Sequence, residues 1–214
     1  MTIAFTGNDA AFKQTAFNIL VQNEIGKRIP LAYTLSPPLK GSGWTFGYFQ
    51  IDLKKSNVAR KNLFVQILLE AKTGDSFIID DKDPATARGT PTAPVDAAVI
   101  RIRNAILKKT DASLLAPDDL ALVNAALQSV RGRELVESEV YTHLDELITK
   151  SNEQIANAKP DYQSFLNKNI AKFWLIDINN QGATKIDNFL QGKSWFGYQA
   201  GPVMTFGDIG QGYF

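Results

Sequence analysis

Gly41-Ser42-Gly43-Trp44-Thr45-Phe46-Gly47-Tyr48-Phe49-Gln50-Ile51-Asp52 is the stretch on which the reading of this chain turns. Its glycines alternate with aromatic side chains. Aromatic residues favour extended backbone, and glycine permits tight turns or close approach of the backbone to an extended ligand. Pro30, Pro37, Pro38, Gly41 and Gly43 exclude a continuous helix across residues 30–53. The residues Leu31–Leu35 and Trp44–Leu53 therefore predict a small hairpin-like sheet around the Pro/Gly turn. Strict alternation would place Thr45, Gly47, Phe49 and Ile51 on one side, and Phe46, Tyr48, Gln50 and Asp52 on the other. An ordinary aromatic hairpin packed on a helix has the same pattern.

The segment before it reads as an amphipathic helix. Asn8 and Asp9 are N-cap candidates, and Gly26 is a C-terminal stop after Ile25. Its apolar stripe is Phe12, Ala16, Phe17, Leu20, Val21 and Ile25. Glu24 stands four residues after Leu20 and seven after Phe17, so it continues that stripe in the last turn. The helix dipole disfavours a negative charge there, so helix stability does not explain a Glu at this place. A carboxyl flanked by apolar groups is desolvated, which favours its protonated form and suits it to act as an acid. The alternative is a Glu that leans into solvent beside Lys27 and Arg28.

Beyond this, the pattern is mostly helical. Ser56 is expected to cap a second helix to about Lys72, closed by Gly74, with Leu63, Phe64, Ile67, Leu68 and Ala71 inward. Residues 80–94 read as a polar loop. Further helices are expected at 95–109, 117–130 (Pro117 at its first position), 133–158, 161–179 and 183–191. The tail, 192–214, alternates glycine with Trp195, Phe196, Tyr198, Phe206, Tyr213 and Phe214. The predicted architecture is one α+β domain over 1–214, predominantly α-helical, with a small β-hairpin element near its start. Its parts are a helix and β element at 8–72, a helical lobe at 95–191 and the tail.

Composition narrows the chemistry. With 214 residues, 44% hydrophobic, the chain can bury a substantial core. Cys 0 removes disulfides, thiolate catalysis and Cys-ligated zinc, and His 1 removes multi-His metal sites. Lys+Arg 23 against Asp+Glu 22 leaves no basic field for nucleic acid. No cofactor or metal is expected. Asp80-Asp81-Lys82-Asp83 lacks the spacing of a calcium loop, and Glu134, Glu137, Glu139, Asp145 and Glu146 read as solvated helix-surface charges. His143 is expected to be exposed. No apolar run approaches the roughly 20 residues of a membrane span, and the N-terminus lacks the features of a signal peptide.

Glu24 at a helix end followed by Phe46-Gly47-Tyr48-Phe49-Gln50-Ile51-Asp52 resembles the lysozyme-like superfamily. In goose-type lysozymes and lytic transglycosylases, a Glu that ends a helix precedes a Gly-x-Gly-Leu-Met-Gln-like segment. The goose-type enzymes add an Asp two residues after that Gln. Phage-type and pesticin-like muramidases are similar in order: a Glu on a helix, then an acid and a Thr in a small sheet. The resemblance covers about residues 8–72. It implies a muramidase that hydrolyses the β-1,4 bond between N-acetylmuramic acid and N-acetylglucosamine. Glu24 would protonate the glycosidic oxygen. Asp52, with Thr45, would hold the attacking water, at a carboxyl separation of roughly 6.5–9.5 Å for inversion. Ser42, Tyr48, Gln50, Tyr33, Trp195 and Tyr198 would contact the saccharide. The aromatic residues among them, and Trp44, could equally be core.

The resemblance implies the peptidoglycan glycan strand as partner, with no nucleic acid and no membrane insertion, and a monomer. Without a signal peptide, such an enzyme would reach the periplasm or cell wall through a phage release route, a secretion apparatus or a carrier protein. An immunity protein would then protect the producer. Its function would be that of a bacteriolytic toxin or phage lysin. The rival readings are a lytic transglycosylase, a chitinase or chitosanase, and a non-catalytic helical module of a phage or secretion system.

Overall fold

A computed structural model of the chain describes residues 3–39, 41–73, 78–79, 87–88, 97–107, 115–182, 186–194, 198–205 and 207–208. The elements in order are α1 (Ala10–Ile25), a 3-10 helix (Ile29–Tyr33), β1 (Thr45–Phe46), β2 (Ile51–Asp52) and α2 (Val58–Thr73). Then come β3 (Ile78–Ile79), β4 (Ala87–Arg88), α3 (Ala97–Leu107), α4 (Pro117–Gln128) and α5 (Val130–Ala156). The chain continues with α6 (Pro160–Leu166), α7 (Asn169–Asn180) and α8 (Ile186–Leu190). It is predominantly helical, with β1–β2 and β3–β4 each forming a two-stranded antiparallel pair. Among the described residues, no helix is long and apolar enough to cross a membrane.

Several boundaries differ from expectation for local reasons. Leu31–Leu35 was expected to be a strand, but Pro30 starts a 3-10 helix there, where its fixed φ and missing N–H cost nothing. Among the described residues before β1, Ser36 bridges to Thr45. The cap of α2 is Asn57 rather than Ser56: its Oδ1 accepts the N–H of Arg60 at 3.0 Å. The expected helix 161–179 is broken into α6 and α7. Asn167 turns its amide onto the carbonyl of Gln163 at 2.9 Å, and Lys168 is extended (φ −71, ψ 139). Gly74 and Asp80–Asp83 lie outside the described residues. The segment expected as an open loop contributes β4, which pairs Ala87 with Ile79 and Arg88 with Ile78.

The chain divides into two compact units: Met1–Asn23 with Tyr141–Phe214, and Glu24–Val140. In the first unit, Ala16, Phe17, Leu20 and Val21 bury the predicted stripe of α1. A second set there joins Tyr162, Leu166, Trp174, Leu175, Phe189 and Leu190 to Ala200 and Met204 of the tail. Tyr162 donates to the carbonyl of Gly201 at 2.7 Å, which fastens that tail. In the second unit, α2 packs on α3 and α4. Phe64, Val65, Ile67, Leu68 and Leu69 are all buried, so α2 is a central helix with apolar contacts on most sides. Phe46 of β1 is fully buried, with its ring 5.4 Å from that of Phe64. The hairpin is therefore seated directly on the core helix.

Candidate functional site

Glu24 opens the second unit, at the last turn of α1. Ile25 beside it is 1% exposed and pins the helix end, whereas Glu24 itself is half-buried. It is neither enclosed by the stripe nor fully in solvent, an outcome between the two readings of the sequence. Gly26 and Lys27 both adopt left-handed backbone (φ 55 and 62), which reverses the chain at once into the 3-10 helix. For Lys27 this conformation costs on the order of 1 kcal/mol. The reversal sends the backbone from Glu24 toward Tyr33 within nine residues.

The hairpin corrects the predicted alternation. Gly47–Gln50 form a turn, with Gly47 at φ 81 and Gln50 at φ 48, and the period of two stops there. Thr45 pairs directly with Asp52, and Phe46 with Ile51. Opposed residues in an antiparallel pair project to the same face. Thr45 and Asp52 therefore share the half-buried face, while Phe46 and Ile51 share the core face. Gln50 joins the first pair: the Thr45 hydroxyl donates to its Oε1 at 2.8 Å, and its Nε2 donates to the Gly47 carbonyl at 3.1 Å. The structure thus brings Thr45, Gln50 and Asp52 together.

Asp52 is more constrained than the sequence suggests. Its Oδ1 accepts the N–H groups of Gly43 (2.9 Å), Lys54 (2.9 Å) and Lys55 (3.4 Å). Its Oδ2 faces the exposed Lys55 ammonium at 3.8 Å. One oxygen is therefore a clasp that closes the turn after β2 onto the segment before β1. This also explains Gly43. A Cβ at that position would sit 2.5 Å from Cβ of Lys54 and 2.8 Å from Oδ1 of Asp52. The close approach inferred for this glycine is to its own hairpin. Ser42 is likewise spent locally, donating to the Leu39 carbonyl at 2.7 Å and accepting the Leu39 N–H at 2.9 Å.

Tyr33 and Tyr48, expected to touch a saccharide, are 7% and 4% exposed. Neither ring offers a face for stacking. Their hydroxyls lie 2.7 Å apart, and that of Tyr33 donates to Glu137 at 2.6 Å. Trp44 is also buried. Tyr198 belongs to the other unit and donates to Asp208 at 2.5 Å, a bond that raises its phenol above the ordinary range. Burial alone would raise the Asp208 carboxyl. The hydrogen bonds from Thr205 and Tyr198 outweigh it and hold that carboxyl below the usual value. Asp208 thus knots the tail to itself. Trp195 lies outside the described residues.

The acidic residues of α5 need correction too. Glu137 is buried, and Glu139 accepts Nε of Arg60 at 2.8 Å with both side chains largely covered. Glu70 of α2, 3% exposed, accepts Nε of Arg131 at 2.6 Å. His143 is half-buried rather than exposed. A signal for Glu137 was present: it stands three residues before Val140 and seven before Leu144, on the edge of the apolar stripe. Among the described residues, no group of three His, Asp or Glu side chains is placed to hold a metal ion.

The groups that the structure assembles are therefore a fixed hydroxyl, amide and carboxylate on one hairpin face; the half-buried Glu24 carboxyl stands in the same unit, at the end of α1. Compared with known proteins, the chain matches no family model, no curated protein and no solved structure.

Proposed function

We propose that this chain is a lysozyme-like muramidase that cleaves the β-1,4 bond between N-acetylmuramic acid and N-acetylglucosamine in peptidoglycan. One observation carries the reading. Within the unit Glu24–Val140, a half-buried Glu closes a helix and is followed by a hairpin that aligns Thr45, Gln50 and Asp52 on one face. In that reading Glu24 protonates the leaving glycosidic oxygen, a step for which it would have to carry a proton. Oδ2 of Asp52 and the Thr45 hydroxyl would orient water toward the opposite face of the sugar. Gln50 would hydrogen-bond the saccharide through what remains of its amide capacity. Substrate access would follow delivery to the periplasm or cell wall by another system, with a carrier or immunity protein as partner.

A second reading has its own observation. Oδ1 of Asp52 is taken by three backbone N–H groups. If Asp52 serves only as that clasp, no carboxylate delivers water. The C6 hydroxyl of the muramyl residue then attacks, as in a lytic transglycosylase. The test is clearing of a purified peptidoglycan suspension by wild type, Glu24→Gln and Asp52→Asn. The muramidase reading expects clearing by wild type and a loss of on the order of 10²–10⁴-fold in Glu24→Gln. In Asp52→Asn, a large loss supports the hydrolase and retained activity supports the transglycosylase. No clearing by wild type would refute both.

A further inference from the structure

The second unit contains a buried carboxylate that this chemistry does not use. Glu137 on α5 is 6% exposed, and 104 residues separate it from Tyr33, the phenol that donates to it. A phenol has one proton. With the proton of Tyr33 committed to Glu137 at 2.6 Å, the hydroxyl of Tyr48, 2.7 Å from that of Tyr33, must donate to it. The chain of bonds therefore runs one way, from Tyr48 through Tyr33 to the carboxylate. Charge-assisted bonds of this length are the strong ones. The two rings meet edge to face, 5.8 Å apart at 83°, and the Arg133 guanidinium lies 5.2 Å from the Tyr33 ring centre.

Each phenol belongs to a different part of the candidate site. Tyr33 ends the 3-10 helix into which the chain runs from Glu24. Tyr48 lies in the turn between Thr45 and Gln50. The two backbones also touch, because Gly47 N–H donates to the Ala32 carbonyl at 3.0 Å. Gln50, a non-glycine residue, carries left-handed backbone at φ 48, a conformation that persists only where the surrounding structure supports it.

We propose that Glu137 is a positioning residue. Through Tyr33 and Tyr48 it holds the segment that follows Glu24 in register with the turn that carries Gln50. The catalytic consequence rests on the muramidase reading, while the anchoring does not. A shift of about 1 Å between an acid and the group opposite it is enough to cost on the order of 10²-fold in rate.

The test uses the full chain in four forms: wild type, Glu137→Ala, Glu137→Gln and Tyr48→Phe. The Gln variant keeps an acceptor for Tyr33, so it rescues. Tyr48→Phe removes only the last link. The first readout is amide hydrogen exchange at Ser36, Gly47 and Gln50, with amides of α4 as control. Glu137→Ala and Tyr48→Phe should speed exchange at those three amides by about tenfold or more, with α4 within about twofold and Glu137→Gln within about threefold. The second is kinetics on soluble glycan: in Glu137→Ala, kcat should fall about tenfold or more while KM changes by less than about threefold. Unchanged hairpin exchange in both Glu137→Ala and Tyr48→Phe overturns the proposal. So does equal acceleration in α4, or failure of Glu137→Gln to rescue. If wild type cleaves no glycan, the muramidase reading fails and exchange alone still decides the anchor.

Discussion

Asp52 has been given two roles, clasp and water holder, and a pair of substitutions separates them. Asp52→Ala removes the acceptor for the N–H groups of Gly43, Lys54 and Lys55. Two of those bonds are 2.9 Å and the third, 3.4 Å, is weak. A hydrogen bond to a charged group contributes about 1.5–3 kcal/mol, but this side chain is 18% exposed, so water recovers part of the loss. The net cost should be about 2–3 kcal/mol. For a chain of this size that lowers the melting temperature by roughly 4–12 °C. Asp52→Asn keeps an Oδ1 acceptor in the same place and should cost less than about 1 kcal/mol. Urea unfolding followed by circular dichroism measures both. The clasp is refuted if Asp52→Ala is as stable as wild type, or if Asp52→Asn falls as far as Asp52→Ala. With Asn stability near wild type, any loss of glycan cleavage in that variant belongs to the charge and not to the fold.

Other outcomes follow from the same geometry. Gly43→Ala puts a Cβ 2.5 Å from Cβ of Lys54 and should destabilise by about 1–3 kcal/mol, read from the urea midpoint; a midpoint equal to wild type would refute the close approach. Burial first, then the bonds to Glu137 and Tyr48, push the Tyr33 phenol above its ordinary value. Its folded form thus keeps a proton that the unfolded chain releases from about pH 10, so its contribution to stability is complete below that pH and declines as pH rises further. Tyr33→Phe should flatten the alkaline arm of the stability profile; an unchanged slope would count against the buried relay.

The parts of the fold legible in the sequence are those fixed by local chemistry. The stripe Ala16, Phe17, Leu20, Val21 and Ile25 is buried in α1 as its spacing implies, and Pro117 starts α4. The hairpin was foreseen in place but not in register. The alternation rule assumes an uninterrupted strand, and the left-handed Gly47 and Gln50 interrupt it, which moves Thr45 and Asp52 to one face. Pro30 could have warned against a strand at Leu31–Leu35, because proline suits the first turn of a helix. Contacts distant in sequence were not legible. Nothing near Glu137 names Tyr33 as its partner, and nothing near Glu70 names Arg131. The break at Asn167 depends on where one amide turns, a choice among rotamers that propensity does not resolve.

The most direct measurement is mass spectrometry of muropeptides released from purified peptidoglycan by wild type and by Glu24→Gln, with melting of both proteins recorded in parallel. Products with reducing N-acetylmuramic acid ends should appear with wild type. They should fall at least about a hundredfold with the variant while its melting temperature is unchanged. Release of the same products by Glu24→Gln at the wild-type rate would contradict the assignment of Glu24 as the acid.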